Sequence, residues 1–317
     1  MSKIKFGVFL PFYAFEVGEK RSLSSFDRVR DTVLECERLG YHSVWLDDHL
    51  MFGKSPILEC WTTLSALSSI TSRIRLGTMV LCNSFRSPSL LAKMAATLDV
   101  ISGGRLEFGI GAGVQRDEHV AYGIPFPKPS VRIGRMKEAV EIVKKMWTEE
   151  KASYAGKYYR IDEAVCEPKP LQKPHPPITI GGSGEKLTLK VTAQYADRYD
   201  LGYLPSLELY EHKLDVLESH CKSMGRDFQE IEKSCWPGGQ IFIAPNREKL
   251  DEKVLQRKPK SVSLKDFKKL NLVGTPEECI QKIQQYVDVG VMYFMLFFGD
   301  LPNLNGVRLF AETVVKK

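Results

Sequence analysis

The sequence has no apolar run near the length of about 18 residues that a membrane-spanning helix needs. Its first residues, Met1 to Pro11, lack the basic, apolar and small-residue order of a signal peptide. We therefore expect a protein that stays in the cytoplasm and does not enter a membrane.

Cysteine pairs with CxxC spacing are absent, and the total of seven cysteines is odd. Cys36, Cys221 and Cys279 fall on the apolar stripes of predicted helices, which favours reduced thiols in the core over disulfides. The HxH and HExxH spacings typical of metal sites are also absent, so we expect no metal.

Positive charge is concentrated in one segment, Arg247 to Lys269, which holds nine Lys or Arg residues against four Asp or Glu. Phe267 is its only aromatic residue, and no nucleic-acid-binding module is recognisable, so we do not expect nucleic acid as a partner. The segment is either a solvated face or a lid that attracts an anionic coenzyme tail.

A chain of 317 residues with 43% hydrophobic residues can bury one large core. Short β-rich apolar segments alternate with segments of helical periodicity, and this alternation predicts a parallel sheet. The predicted strands are Ile4–Leu10, Ser43–Leu46, Ile74–Leu81, Arg105–Gly111, Ile178–Ile180, Tyr199–Leu201, Gln240–Ile243 and Tyr293–Phe297.

Eight such units most economically close into a (β/α)8 TIM barrel, here a single domain over residues 1–317 with insertions after strands 4 and 7. The alternative is a doubly wound open sheet. Its cofactor fingerprint would follow the first strand, where this chain has Pro11-Phe12-Tyr13 instead of a glycine cluster.

A barrel places its active site at the carboxyl ends of the strands, and polar residues stand at several of these ends. Asp48 and His49 follow strand two; adjacent side chains diverge, so they suit two contacts to a flat ligand better than one metal. The alternative for His49 is a structural hydrogen bond to a nearby carbonyl. The polar end of strand three, up to Cys82 and Asn83, indicates a bulge that turns the backbone toward a bound ring.

Strands four and five are followed by glycine-rich segments. After strand four, Gln115 and Glu118 are candidate substrate contacts on the loop. After strand five, Gly182, Ser183 and Gly184 precede a predicted helix, where free backbone N–H groups and a hydroxyl would hold a phosphate. An ordinary tight turn is the alternative for this segment.

Several segments together resemble the bacterial-luciferase-like monooxygenase superfamily, and they span nearly the whole chain. They are SVWLDDH at 43–49, SRIRLGTMVL at 72–81, LAKMAATLDVISGGRLEFGIGAG at 91–113, EHVAYGIPFP at 118–127, PITIGGSG at 177–184 and LVGTPE at 272–277. Within the superfamily, the pair Asp48-His49 resembles the branch that uses the 5-deazaflavin coenzyme F420.

The resemblance implies specific roles for the candidate residues. Asp48 and His49 would contact the deazaflavin, and Met79 and Val80 would form a bulge, often with a non-proline cis peptide bond, against the other face of the ring. Ser183 and Gly184 would hold the coenzyme phosphate, and a homodimer is implied as well. Cys82 and Gly182 complete the set of expected cofactor contacts.

The chain departs from the superfamily's sugar-phosphate dehydrogenases at two positions. Val114 stands where those enzymes carry a catalytic glutamate, and Cys82 stands where they carry a threonine, so we do not expect glucose 6-phosphate as the substrate.

The predicted function is an F420-dependent oxidoreductase that transfers hydride to or from a small organic substrate, with His49 and Asp48 as catalytic residues. The alternatives are an FMN-dependent monooxygenase that uses reduced flavin and O2, and a non-catalytic flavin-binding barrel.

Overall fold

The computed structural model describes residues 4–15, 24–204 and 206–316. Its eight barrel strands are named β1 to β8 in chain order: Lys5–Leu10, Ser43–Leu46, Arg75–Thr78, Leu106–Gly111, Ile178–Gly181, Arg198–Asp200, Glu232–Cys235 and Tyr293–Leu296. All neighbouring pairs are parallel, and β8 pairs with β1 through Phe294 and Phe6, which closes the ring. This confirms the predicted (β/α)8 barrel.

The α-helices lie between the strands, in two insertions and after β8. They are Ser24–Leu39, Cys60–Ile70, Pro88–Ile101, Arg116–Ala121, Pro129–Thr148, Thr188–Tyr195, Leu207–Met224, Arg247–Arg257, Leu264–Leu270, Pro276–Asp288 and Asn305–Phe310. Within the described part of the chain, no helix has both the length and the apolarity needed to cross a membrane.

The insertion after β4 begins with the short helix Arg116–Ala121. The insertion after β7 contains a separate two-stranded parallel sheet, Ile241–Ile243 with Leu272–Gly274, and two helices between these strands. Both predicted insertions are therefore present. A small antiparallel hairpin, Ala152–Ala155 with Arg160–Ala164, precedes β5.

The predicted seventh strand, Gln240–Ile243, is wrong. The seventh barrel strand is Glu232–Cys235. Its sequence is largely polar, so a search for apolar segments does not find it. A charged residue is accommodated in this strand because the Glu232 carboxylate accepts hydrogen bonds from Arg198 and Lys5, the latter at 2.7 Å. The apolar segment Ile241–Ile243 instead pairs with the insertion strand, so it contributes to a different sheet.

Part of the barrel interior is filled by one large side chain. Trp45 on β2 is fully buried and packs with Tyr293 and Met295 of β8. A Cβ atom at Gly77 would lie 2.3 Å from the Trp45 ring, and one at Gly7 would lie 2.6 Å from its Nε1. The glycines on the two flanking strands therefore provide the space that the indole occupies.

A buried network of ion pairs lies near the amino-terminal ends of the barrel strands. Glu107 on β4 bonds with Arg198 at 2.7 Å and also with Arg75. Burial alone would raise the pKa of Glu107, but the two guanidinium groups lower it to about 2. The Arg198 guanidinium also lies 4.0 Å from the centre of the Tyr293 ring. Every charge in this network has a partner, as a buried charge requires.

Candidate functional site

A cavity of about 330 Å³ opens at the carboxyl ends of the barrel strands. Its wall is formed by residues at the ends of seven strands: Phe9, Asp48–His49, Met79–Cys82, Gly111–Val114, Gly181–Ser183, Asp200–Gly202 and Trp236, with Glu118 from the insertion after β4. The volume is within the range of about 300 to 1,000 Å³ that is usual for small-molecule sites. This is the position that the barrel prediction gives for an active site.

Strand three is interrupted at the cavity wall. The strand ends at Thr78, the Met79-Val80 peptide bond is cis, and a short strand resumes at Leu81–Cys82. The predicted continuous strand Ile74–Leu81 is therefore broken at the suspected bulge, and the bond has the cis geometry that the resemblance implies.

Three glycines make room for this bulge. A Cβ atom at Gly111 would lie 2.6 Å from Val80 Cγ2, and one at Gly181 would lie 2.9 Å from Val80 Cγ1. At Gly109 it would lie 1.9 Å from the carbonyl oxygen of Thr78. The glycine-rich ends of β4 and β5 thus let the bulge approach the neighbouring backbone.

Asp48 is almost completely buried and fully engaged by protein groups. Its Oδ2 accepts the backbone N–H of Cys82 at 2.8 Å, and both oxygens accept hydrogen bonds from Arg86. Arg86 also bonds with Glu59. Asp48 therefore anchors the backbone after the bulge, a structural role that differs from the catalytic one expected for it.

His49 lies on the cavity wall with 24% of its side chain exposed. Its Nδ1 is 3.1 Å from Glu118 Oε1 and 3.3 Å from Oε2, and Oε2 also accepts the backbone N–H of Leu50 at 3.0 Å. No described residue forms a hydrogen bond with His49 Nε2. The structure thus brings together two predicted site residues, and Nε2 of His49 has no hydrogen-bond partner within residues 4–15, 24–204 and 206–316.

The other predicted residues after β4 are placed differently. Gln115 is exposed and does not line the cavity, and its backbone oxygen accepts a hydrogen bond from His119 Nδ1 at 2.7 Å. Glu118 does line the cavity, but both its oxygens already contact His49 and Leu50. The geometry therefore offers no support for Gln115 as a substrate contact. Val114 lines the cavity and is 80% exposed.

Cys82 lines the cavity as an inert thiol. Burial, together with the nearby carboxylates of Asp48 and Glu118, raises its pKa to about 12. Its Sγ lies 3.6 Å from His119 Nε2. All seven cysteines are buried and free, which confirms the expectation of reduced core thiols.

The predicted phosphate segment lies at the end of β5. Gly182, with φ of +125°, and Ser183 line the main cavity, while Ser183 and Gly184 line an adjoining open cavity with Lys186 and Lys213. Lys213 is paired with Glu185 at 2.5 Å. The next helix begins at Thr188, so its first backbone N–H groups are set back from Gly184.

The basic segment of the second insertion does not line the main cavity. Lys268 and Lys269 line a separate cavity with Lys282, between the segments that follow β6 and β7.

Sequence reasoning missed two features of the wall. Asp200, at the end of β6, accepts hydrogen bonds from Gly202 N at 2.6 Å and from Trp236 Nε1 at 2.9 Å, and burial raises its pKa. Its position at a predicted strand end was an available signal. Trp236 follows the true seventh strand, so the wrong strand assignment concealed it.

The closed parallel barrel and the cavity at its carboxyl ends are the architecture of (β/α)8-barrel enzymes. The model of the luciferase-like monooxygenase family matches residues 4–259. The chain therefore belongs to the luciferase-like monooxygenase family.

A relative agrees with this assignment in sequence, and solved structures agree with the fold. An F420-dependent glucose-6-phosphate dehydrogenase of Microbacterium testaceum is 29% identical, over 95% of this chain and 96% of its own. A monooxygenase of Streptomyces bottropensis is similar in structure with a TM-score of 0.81 at 23% identity, covering 99% of both chains. An F420-dependent tetrahydromethanopterin reductase of Methanopyrus kandleri is similar in structure with a TM-score of 0.80 at 19% identity, and the match again covers 99% of both chains. At these identities the structural likeness shows the fold alone.

Proposed function

We propose that the protein is an F420-dependent oxidoreductase that transfers hydride between the deazaflavin and a small organic substrate. The observation that carries the proposal is His49, which lies on the cavity wall with Nδ1 held by Glu118 and Nε2 free of partners among the described residues. The similarity to F420-dependent dehydrogenases over almost the full chain supports the choice of coenzyme.

The residues of the cavity fit such a group. Val80 occupies the space that three glycines leave open, so it presents a firm apolar surface for one face of a planar ring. Ser183 lines both the main cavity and the adjoining open one, and it would hold the phosphate with Gly184 where the two cavities meet. Bound there, the deazaflavin would supply a carbon centre that accepts or donates a hydride.

His49 would move the proton that accompanies the hydride. In the oxidation of an alcohol, Nε2 of His49 would accept the O–H proton as the C–O bond becomes C=O, and the bound coenzyme would supply the acceptor for the hydride that leaves carbon. In the reverse direction, the same nitrogen returns the proton to the carbonyl oxygen. A proton-transfer group of this kind contributes about 10²- to 10⁴-fold to a rate.

The first experiment is equilibrium binding of the purified chain to F420 and, separately, to FMN. We expect F420 to bind at micromolar concentration or tighter, and FMN to bind more weakly. Ser183→Asp, which places a negative charge beside the phosphate, should weaken binding at least tenfold. Ser223→Asp, at an exposed position that lines neither cavity, should not. Binding of FMN alone would support the flavin monooxygenase instead.

The second experiment tests catalysis with reduced and oxidised F420 and a panel of alcohols, aldehydes, imines and enones. A member of the panel should change the redox state of the bound coenzyme. His49→Ala should keep its circular dichroism spectrum and its F420 affinity within a few fold, while turnover falls about 10²- to 10⁴-fold. If F420 binds but no compound reacts, the chain is a coenzyme-binding barrel without this activity.

A further inference from the structure

The loop that carries His49 is held from one side by the helix Arg116–Ala121 and the residue after it. Hydrogen bonds join the two segments: His49 Nδ1–H donates to Glu118 Oε1 at 3.1 Å, Leu50 N–H donates to Glu118 Oε2 at 3.0 Å, and Tyr122 Oη–H donates to the Leu50 oxygen at 3.0 Å. The insertion after β4 therefore fixes both the side chain of His49 and the backbone beside it.

The helix Arg116–Ala121 is itself anchored by His119, the residue after Glu118. A helix of six residues has little stability alone, so tertiary contacts must hold it. His119 is fully buried; its Nδ1 donates to the Gln115 oxygen at 2.7 Å, and its ring packs against Phe85 and Phe126. Glu118 is consequently presented to His49 by a fixed backbone.

The hydrogen bond between Glu118 and His49 decides where the imidazole proton lies. An ionised carboxylate can only accept hydrogen bonds, so the N–H of a neutral His49 ring must be on Nδ1. The lone pair is then on Nε2, the nitrogen that has no partner within the described ranges. An amide at position 118 could instead donate to Nδ1, which would stabilise the opposite tautomer.

We propose that Glu118 is a positioning residue, which holds His49 in the Nδ1–H tautomer so that Nε2 accepts the substrate proton. The inference rests on the proposed function only in one respect, namely that Nε2 accepts a proton from the substrate. Burial of Glu118, of which 3% is exposed, supports it, because a buried carboxylate needs donors and its donors here are His49 and Leu50.

The direct test is nitrogen-15 NMR of the ligand-free protein labelled at its six histidines, with His49→Asn used to assign the signal of His49. In the wild-type protein at a pH where the ring is neutral, we expect Nδ1 to be protonated and Nε2 to be unprotonated. A predominantly Nε2–H ring in the wild-type protein would overturn the proposal, whichever cofactor or substrate the enzyme uses.

The second test is Glu118→Gln, which keeps an acceptor for Leu50 N–H. We expect the His49 signals to shift toward the Nε2–H tautomer and kcat to fall roughly 10²- to 10⁴-fold, while F420 affinity and KM change less than threefold. Asp117→Asn is the matched control, because it removes one charge from the exposed side of the same helix. It should change neither readout.

The results separate the two proposals. A wild-type tautomer of the Nδ1–H form that changes in Glu118→Gln supports the positioning role even if F420 does not bind. An unchanged tautomer in a folded Glu118→Gln variant contradicts the positioning role, even if F420 turnover is established. If the variant does not fold, the wild-type spectrum alone decides.

Discussion

Arg86 binds Asp48 through both carboxylate oxygens, with Nη1 2.8 Å from Oδ2 and Nη2 2.9 Å from Oδ1. The Asp48 side chain is 1% exposed, and its Oδ2 also accepts the N–H of Cys82, two residues after the cis Met79-Val80 peptide bond. The bidentate ion pair thus fixes a carboxylate that in turn fixes the cavity wall.

Replacement of Arg86 should be strongly destabilising. Arg86→Met keeps most of the side-chain volume but leaves the buried carboxylate of Asp48 without its counter-charge, so we expect a loss of about 3 to 5 kcal/mol in unfolding free energy. Urea unfolding at pH 7 measures this loss. Arg30→Met, which breaks an exposed ion pair with Asp27, is the control and should leave the midpoint almost unchanged. Equally small changes in the unfolding free energy of the two variants would contradict the structural role of the ion pair between Arg86 and Asp48.

The buried carboxyl group of Asp47 should make stability depend on pH. Its Oδ1 accepts the Phe12 N–H at 3.0 Å, and Oδ2 has no partner in the part of the chain that is described. Burial raises its pKa from 3.8 to about 6. The neutral form is therefore favoured by folding, so this contribution to stability is complete below pH 4 and is lost as the pH rises through 6.

Asp47→Asn removes this titration while it retains an acceptor for Phe12. From pH 4 to pH 7, the wild-type protein should lose on the order of 2 to 3 kcal/mol of unfolding free energy relative to the variant. Denaturant titrations at several pH values measure the difference. Parallel stability curves for the two proteins would show that the environment of Asp47 does not raise its pKa.

Val80 and Gly111 should be energetically coupled, because a Cβ atom at position 111 would collide with Val80 Cγ2. We expect Gly111→Ala to cost about 1 to 3 kcal/mol in the wild-type background. In a Val80→Ala background the cost should fall below about 1 kcal/mol, since the colliding methyl group is gone. A double-mutant cycle of unfolding free energies measures the coupling, and additive effects would contradict the contact.

The native protein should resist thiol alkylation. All seven cysteines are buried, and the raised pKa of Cys82, about 12, keeps its thiol protonated at neutral pH. At pH 8, iodoacetamide should add no label to the native protein within minutes, and mass spectrometry should count seven labels after unfolding in urea. Rapid native labelling at Cys82 would show that its side of the cavity wall is open to solvent.

The barrel could be predicted from the chain because each βα unit has a local pattern, such as the apolar run of β1. The failure at β7 has a local cause too: Glu232 and Lys233 are polar residues in a strand that uses Glu232 to neutralise Arg198. The single domain, the homodimer and the cytoplasmic location stay predictions. Sedimentation of the purified chain would test the homodimer.

The sequence by itself determined the alternation of strands and helices, the two insertions and the positions of His49, Val80 and Ser183 near strand ends. Only the tertiary structure decided what these residues do with their neighbours. His49 meets Glu118 across 69 residues of chain, and Asp48 meets Arg86 across 38. Periodicity and spacing report the local backbone, whereas hydrogen-bond partners and buried charges depend on which distant segments the closed barrel brings together.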